Sequence, residues 1–326
     1  MIRPETISVI IPAYNPDPEM LKRTLGSIST QTILPHEVIV VENGKFADGT
    51  EDIVEDYFGF TYVSNKKPGA NLARNTGAEI ATGNILVFTD DDCLFEEDCL
   101  EQHLKIHKQH LCLLGGKVSL LFQKQPPIWM CDIFEHMLAK LDLSTSYVDD
   151  VIIDITSDQN KYLVSANMSI QKMVFDKIGG FDVTDGYVGK KILAPNDEFE
   201  LINKCRFNKV KVLFSSRPKL DHIIPEFRLT EEYMLDRFYG QGLADCKTAL
   251  KRDFSSIYPP VDRNDIETLI TNTILKHKMF GGEIQHIYNL NKDKKDKLQI
   301  REITRVYTLC LSRYYEAIID FIEARS

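Results

Sequence analysis

The chain has 326 residues, 43% hydrophobic and 27% charged, which is ample for a large core and suggests about two domains. A net charge of −9 and a pI near 5.5 exclude a general nucleic-acid binder, whose footprint would be basic. Seven cysteines, an odd number without paired CxxC spacing, point to reduced thiols in a cytosolic protein. Residues 1–6 lack the basic and apolar regions of a signal peptide, and no apolar run approaches the roughly 18 residues of a membrane span. The expectation is a cytoplasmic protein without a transmembrane segment; peripheral contact at the inner face of a membrane is compatible with it.

In chain order, residues 7–12 form a β-branched run stopped by Pro12, a first buried strand. After the loop Ala13-Tyr14-Asn15-Pro16, Asp17 or Pro18 opens a helix with Leu21, Leu25 and Ile28 on one stripe. A strand over 37–41 ends in Glu42-Asn43-Gly44, a turn signal, and a short helix over 50–57 and a strand over 60–64 follow. Residues 71–78 read as a helix of small residues, and 85–89 as a buried strand running into Asp90-Asp91-Asp92. This alternation predicts a parallel sheet with right-handed crossovers.

Residues 96–109 read as a helix whose face carries His103, His107 and His110; no cysteine or acid completes a metal set there, so a solvated face is expected. Strands are predicted over 118–122, 163–170 and 209–215, with His222 after the last of them. A short helix ending at Gly179-Gly180 and another opening at Asn196-Asp197 separate the final two. The segment 124–160 resists assignment; its single tryptophan, Trp129, suits either packing or stacking against a sugar ring. Beyond Pro225 the pattern is helical. Ile303, Tyr307, Cys310, Tyr314, Ala317 and Phe321 form an amphipathic stripe suited to a core or an oligomer seam. Residues 292–297 read as a solvated helix start, and the domain division is expected at 1–225 and 226–326.

The triple acid asks for a physical explanation. Crowded like charges repel, and their desolvation is costly without a cation. A hard divalent ion bound by Asp oxygens, phosphate oxygens and water would compensate them; a solvated, helix-capping turn is the alternative.

The ordered set Ser8-Val9-Ile10-Ile11-Pro12-Ala13-Tyr14-Asn15, Val40-Val41-Glu42-Asn43-Gly44, Asn71-Leu72-Ala73-Arg74-Asn75-Thr76-Gly77 and Asp90-Asp91-Asp92 resembles family 2 glycosyltransferases. Ala166-Asn167-Met168-Ser169, Gly179-Gly180-Phe181-Asp182 and the pair Asp197-Glu198 also fit, so the resemblance spans about residues 6–245. It implies an α/β protein of the GT-A, Rossmann-related type. Its sheet would be mixed and mainly parallel, flanked by helices, with a C-terminal helical extension. It also implies an inverting enzyme that uses a nucleotide-sugar donor and a divalent cation, Mn²⁺ or Mg²⁺.

Residue by residue, the resemblance places Pro12, Ala13, Tyr14 and Asn15 along the base and ribose. Glu42 stands where the family usually has an Asp that bonds the base, and Asn43 replaces a second frequent Asp. Asn71 and Arg74 would approach the diphosphate or base edge, where a cation with several donors is suited; a helix cap and a helix-face salt bridge are their structural alternatives. Asp90 and Asp92 would form the DxD element, with Asp91 beside them, and His222 would complete the metal site as readily as it would fill a core or surface position. Asp197 or Glu198 would act as the base that takes the acceptor hydroxyl proton; the residue order leaves the choice between them open.

The activity implied is sugar transfer, most often from a UDP-sugar, with dTDP and GDP as alternatives. The acceptor would be a glycan, a lipid-linked molecule or a small molecule, chosen by residues 124–160 and the C-terminal helices, which are also where homo-oligomers would form. Two alternatives are weighed against it. A sugar-phosphate nucleotidyltransferase would need a Gly-rich loop where Pro12-Ala13-Tyr14-Asn15 stands; a non-catalytic nucleotide-sugar-binding protein would have no need of the acids.

Overall fold

The run after Thr6 forms β1, Ile7–Ala13, with all seven residues buried. Asp17 caps the helix α1, Pro18–Ser29: its Oδ1 accepts from the amides of Glu19 and Met20 at 3.0 Å each, and Leu21, Leu25 and Ile28 are buried as their spacing predicts. The series continues through β2 (Glu37–Asn43), α2 (Thr50–Glu55), β3 (Phe60–Asn65), α3 (Ala70–Ile80), β4 (Ile85–Phe88), β5 (Cys93–Phe95) and α4 (Cys99–His107). Then come β6 (Cys112–Phe122), α5 (Asp132–His136), β7 (Ile152–Asp154), a 3₁₀ turn at Ser165–Asn167, β8 (Met168–Gln171) and α6 (Lys172–Ile178). The last elements are α7 (Asp197–Phe207), β9 (Lys211–Ile224), α8 (Glu231–Leu250) and α9 (Lys297–Glu323). These elements come from a computed structural model that describes residues 5–44, 49–144, 150–158, 161–183, 197–250 and 297–323. The predicted helix start at 292–296 lies outside them.

The first compact unit comprises Met1–Gln123, Leu138–Lys190 and Asp197–Ile224. Its mixed sheet has the order β3-β2-β1-β4-β8-β6-β9-β5, with β7 on β9. Strands β3, β2, β1 and β4 are all parallel, β8 runs antiparallel to both β4 and β6, and β6 is parallel to β9. This is the mixed α/β architecture expected of the GT-A type. Two strands are longer than the sequence suggested. β6 begins at Cys112, and β9 runs on to Ile224, so His222 lies within that strand rather than after it.

Helix α4 corrects an expectation. Its inward face is Cys99, Leu100, His103, Ile106 and His107, so two of the three histidines are buried, not solvated. Asn167 gives its two Nδ2 hydrogens to the carbonyls of Lys117 and Pro218, at 2.9 and 3.1 Å, so its Oδ1 is the acceptor for His103 Nε2–H at 2.8 Å. His103 Nδ1 then accepts from the Ser169 hydroxyl, which accepts from His107 Nε2–H, each at 2.7 Å. Burial lowers the pKa of His103 to about 4 and that of His107 to about 3.

The second unit comprises Lys124–Met137, Lys191–Asn196 and Pro225–Ser326. Trp129 is buried and meets Phe134 edge-on, Phe134 lies beside Phe238, and Phe238 meets Tyr307 edge-on, so Trp129 is a packing residue. Ile303, Tyr307, Cys310, Tyr314 and Ala317 of the predicted stripe are buried, and α9 packs on α8; the side chain of Phe321 lies outside the described residues. Among the described residues no helix is long and apolar enough to cross a membrane.

Candidate active site

Because β1, β2 and β4 are parallel, their carboxyl ends share one edge of the sheet, and strand order reverses between β1 and β4. Open α/β sheets bind ligands at such a reversal. Pro12 pairs with Val41 there, and the Ala13 carbonyl accepts from Asn43 Nδ2 at 2.9 Å. Tyr14 is 57% exposed, and Asn15 takes the left-handed φ of 48° that asparagine tolerates. Glu42, by contrast, is fully buried: its carboxylate accepts from the hydroxyls of Thr50 at 3.2 Å and Tyr62 at 2.8 Å. Burial, together with that carboxylate, raises the Tyr62 pKa. Asn43 accepts the Gly69 amide at 2.8 Å and so braces the end of β1 against the start of α3.

Asn71 is not a helix cap. Gly69 holds that position, and Asn71 Nδ2 donates to the Asp182 carbonyl at 2.9 Å while its Oδ1 accepts from Arg74 Nη1 at 3.2 Å. Arg74 does form a salt bridge, and it is a buried one. The residue is 5% exposed, its Nη2 meets Asp90 Oδ1 at 2.8 Å, and its guanidinium lies 5.6 Å from the centre of the Phe181 ring. A buried guanidinium held on three sides keeps a fixed positive charge beside the acidic run.

The backbone gives the acids different partners. The Asp91 carbonyl accepts from the Thr24 hydroxyl at 3.0 Å, and the Asp92 carbonyl accepts from the Ile223 amide at 2.8 Å. β5 pairs antiparallel with β9, setting Cys93 opposite His222, and Asp92 Oδ1 lies 3.2 Å from His222 Nε2. His222 Nδ1 faces the Leu138 carbonyl at 2.8 Å, an acceptor only, so that nitrogen carries a hydrogen and Nε2 is the ring atom turned toward Asp92. Ligand atoms of Asp90, Asp92 and Cys93 lie within 4.8 Å of one another. Full burial, with Asp92 and Asp90 adjacent, raises the Cys93 pKa, so the sulfur stays protonated and is the poorest ligand of the group. Two carboxylates and an imidazole nitrogen suit a hard or borderline divalent ion.

Glu198 lies in the first turn of α7. Its Oε1 accepts from the amide of Ser165 at 3.1 Å and from its hydroxyl at 2.6 Å. Ser165 stands three residues before Met168, which pairs with Phe88 at the end of β4, so Glu198 is tied to the sheet edge that carries Asp90 and Asp92. Asp197 begins the same helix; its side chain lies outside the described residues.

A model of the family described as Glycosyl transferase family 2 matches residues 8–175, more than half of the chain. The chain belongs to that family. This glycosyltransferase is 34% identical over 309 residues to an uncharacterised glycosyltransferase, YfnE, of Bacillus subtilis, covering 79% of this chain and 76% of that one. It is 21% identical over 309 residues to a glucosyl-dolichyl phosphate glucuronosyltransferase of Haloferax volcanii, covering 92% and 91%. It is also 35% identical over 125 residues to the glycosyltransferase AglE of Haloferax volcanii, covering 36% and 40%. Family membership sets aside the nucleotidyltransferase and non-catalytic readings.

The sequence reading missed the supporting residues of the transferase: Thr50 and Tyr62 on Glu42, Thr24 on Asp91, Ser165 on Glu198 and the Leu138 carbonyl on His222. Hydroxyls and carbonyls are common enough in any sequence that spacing gives no signal for them. Phe181 alone had a signal, in Gly179-Gly180-Phe181-Asp182.

Proposed function

We propose that this glycosyltransferase moves a sugar with inversion from a nucleotide-sugar, by family frequency a UDP-sugar, to an acceptor hydroxyl, in a reaction that needs a divalent cation. The observation that carries the reading is the 3.2 Å approach of Asp92 to His222, next to the Asp90–Arg74 pair and at the strand-order reversal. Asp90, Asp92 and His222 would hold Mn²⁺ or Mg²⁺, with the imidazole favouring Mn²⁺. When bound, the ion would offset charge developing on the leaving diphosphate.

The residues of this chain do the rest. Arg74 supplies a fixed cation on the diphosphate side, and Pro12, Ala13, Tyr14 and Asn15 line the base and ribose. Glu42 and Asn71 shape the pocket through the braces they make, and Asp91 acts through its backbone. Asp197 or Glu198 takes the acceptor proton as the hydroxyl oxygen attacks the anomeric carbon from the face opposite the diphosphate. Anchoring of Glu198 Oε1 by Ser165 supports Glu198, because its other oxygen takes no hydrogen bond from the described residues. In this reading residues 1–225 are the transferase domain, and 226–326 select the acceptor and carry any self-association. The acceptor is a glycan, a lipid-linked molecule or a small molecule. The Haloferax volcanii relative, named for glucosyl-dolichyl phosphate, supports the lipid-linked class and with it peripheral contact at the inner face of the membrane.

The test is thermal-shift screening of UDP-, dTDP- and GDP-sugars with and without Mn²⁺. A rise in the melting temperature that needs both ligands is expected. Stabilisation by a nucleotide-sugar that is equal with and without metal would overturn the metal assignment, and no stabilisation by any of them would overturn the donor class.

A further inference from the structure

Helix α7 carries the acidic pair at its first turn, and its buried face follows one helical stripe. Glu198, Leu201, Ile202, Cys205 and Arg206 recur at intervals of three and four, and Leu201, Ile202 and Cys205 are fully buried. Apolar contacts of this kind hold a helix against its neighbour, but the hydrophobic effect is non-directional and resists sliding along the axis only through side-chain interlock. Hydrogen bonds fix the axial position. At one end Glu198 accepts twice from Ser165. Two turns on, the 9% exposed Arg206 donates from Nη2 to the carbonyls of Ile155, Asp158 and Lys161 at 3.1, 2.5 and 3.3 Å. Both ends of the stripe therefore rest on one stretch of chain, which leads through Ser165–Asn167 into β8, the neighbour of β4.

We propose that Arg206 is a positioning residue that sets the axial register of α7 and so holds the catalytic acid at the sheet edge; this rests on the acidic-pair reading above. The arginine suits the task. Nη2 alone lies within reach of three carbonyls, its two hydrogens shared among them, and a guanidinium nitrogen donates without accepting. A slip of one residue would move the acid by about 1.5 Å, and a misplacement near 1 Å is enough to cost about a hundredfold in rate. Arg206 touches no reacting atom in this scheme.

The test uses the full chain with Arg206→Ala and Arg206→Lys, assayed with the donor found by the thermal-shift screen. Turnover is counted per nucleotide site by titration with UDP and Mn²⁺. For Arg206→Ala, kcat should fall about tenfold or more while donor KM and UDP affinity stay within about twofold, and added guanidinium ion should restore part of kcat. Arg206→Lys should lie between Arg206→Ala and wild type, and supplies the comparison if Arg206→Ala folds poorly. Combining Arg206→Ala with Asp197→Asn or Glu198→Gln should remove the Arg206 effect for the acid that Arg206 positions. Wild-type kcat per site in both Arg206 variants would overturn the proposal. So would kcat and UDP affinity falling together without guanidinium rescue. Wild-type turnover in both Asp197→Asn and Glu198→Gln would instead overturn the acidic-pair reading, whatever Arg206 does.

Discussion

Nε2 of His222 stands 3.2 Å from Oδ1 of Asp92, with both side chains more than nine-tenths buried. Nδ1 donates to the Leu138 carbonyl, which leaves Nε2 facing the carboxylate oxygen. A proton on Nε2 would make this contact an ion pair, and a divalent ion bound by both atoms would take that proton's place.

The first prediction concerns this pair. Asp92→Ala should abolish metal-dependent donor turnover while leaving the fold intact, checked by turnover with Mn²⁺ and by circular dichroism. His222→Asn should be milder: it replaces an imidazole with an amide oxygen and should shift the preference from Mn²⁺ toward Mg²⁺. An unchanged ratio of Mn²⁺- to Mg²⁺-supported activity in His222→Asn would remove His222 from the metal site.

A second prediction concerns pH and stability. The pKa of His103 in the folded protein is about 4, below its usual 6.5, because burial disfavours its charged form. Between those values the unfolded chain binds the proton and the folded chain does not, so stability falls as pH drops from 6.5 toward 4 and is unaffected above 6.5. His103 alone accounts for on the order of 3 kcal/mol across that window. His107, at about 3, extends the loss to lower pH, though the two share Ser169 and do not add independently. Urea unfolding of the wild type and of His103→Gln at pH 7, 6 and 5 would measure the difference in slope. Parallel slopes would show that His103 is not the buried neutral group described.

Gly116 carries the third. A Cβ there would lie 2.5 Å from the Pro218 carbonyl oxygen and closer still to the Asn167 amide, at the register shift between Gly116 and Lys117 where β6 meets β9. Gly116→Ala should destabilise the protein by about 1–3 kcal/mol, because backbone must move to admit the methyl. The midpoint of urea unfolding checks this, and a variant as stable as wild type would show that the strands yield without cost.

Much of the parallel half of the fold was legible in the chain itself. β1, β2 and β4 are short apolar runs followed within a few residues by glycine, proline or charge, and α1 follows an apolar stripe with an aspartate cap, all signals carried within a dozen residues. The antiparallel half was harder. β5 and β7 have three residues each, and residues 163–170 divide into a 3₁₀ turn and a short strand. Such elements gain their stability from neighbours distant in sequence, and their local pattern is correspondingly weak.

The same division applies to the candidate site. By itself the sequence determined the order of the chemical groups: the loop Pro12-Ala13-Tyr14-Asn15, Arg74, the triple acid and the acidic pair, each a short motif with a chemical requirement of its own. Only the tertiary structure decided what each side chain meets. It set His222 beside Asp92 through the pairing of β5 with β9, and buried Glu42 under Thr50 and Tyr62. It also turned His103 and His107 from an apparent solvated face into a hydrogen-bonded core. Those contacts join residues 8 to 130 positions apart, and their partners are hydroxyls, amides and carbonyls that any sequence supplies in abundance. Burial and register select among such partners, and both are properties of the folded chain.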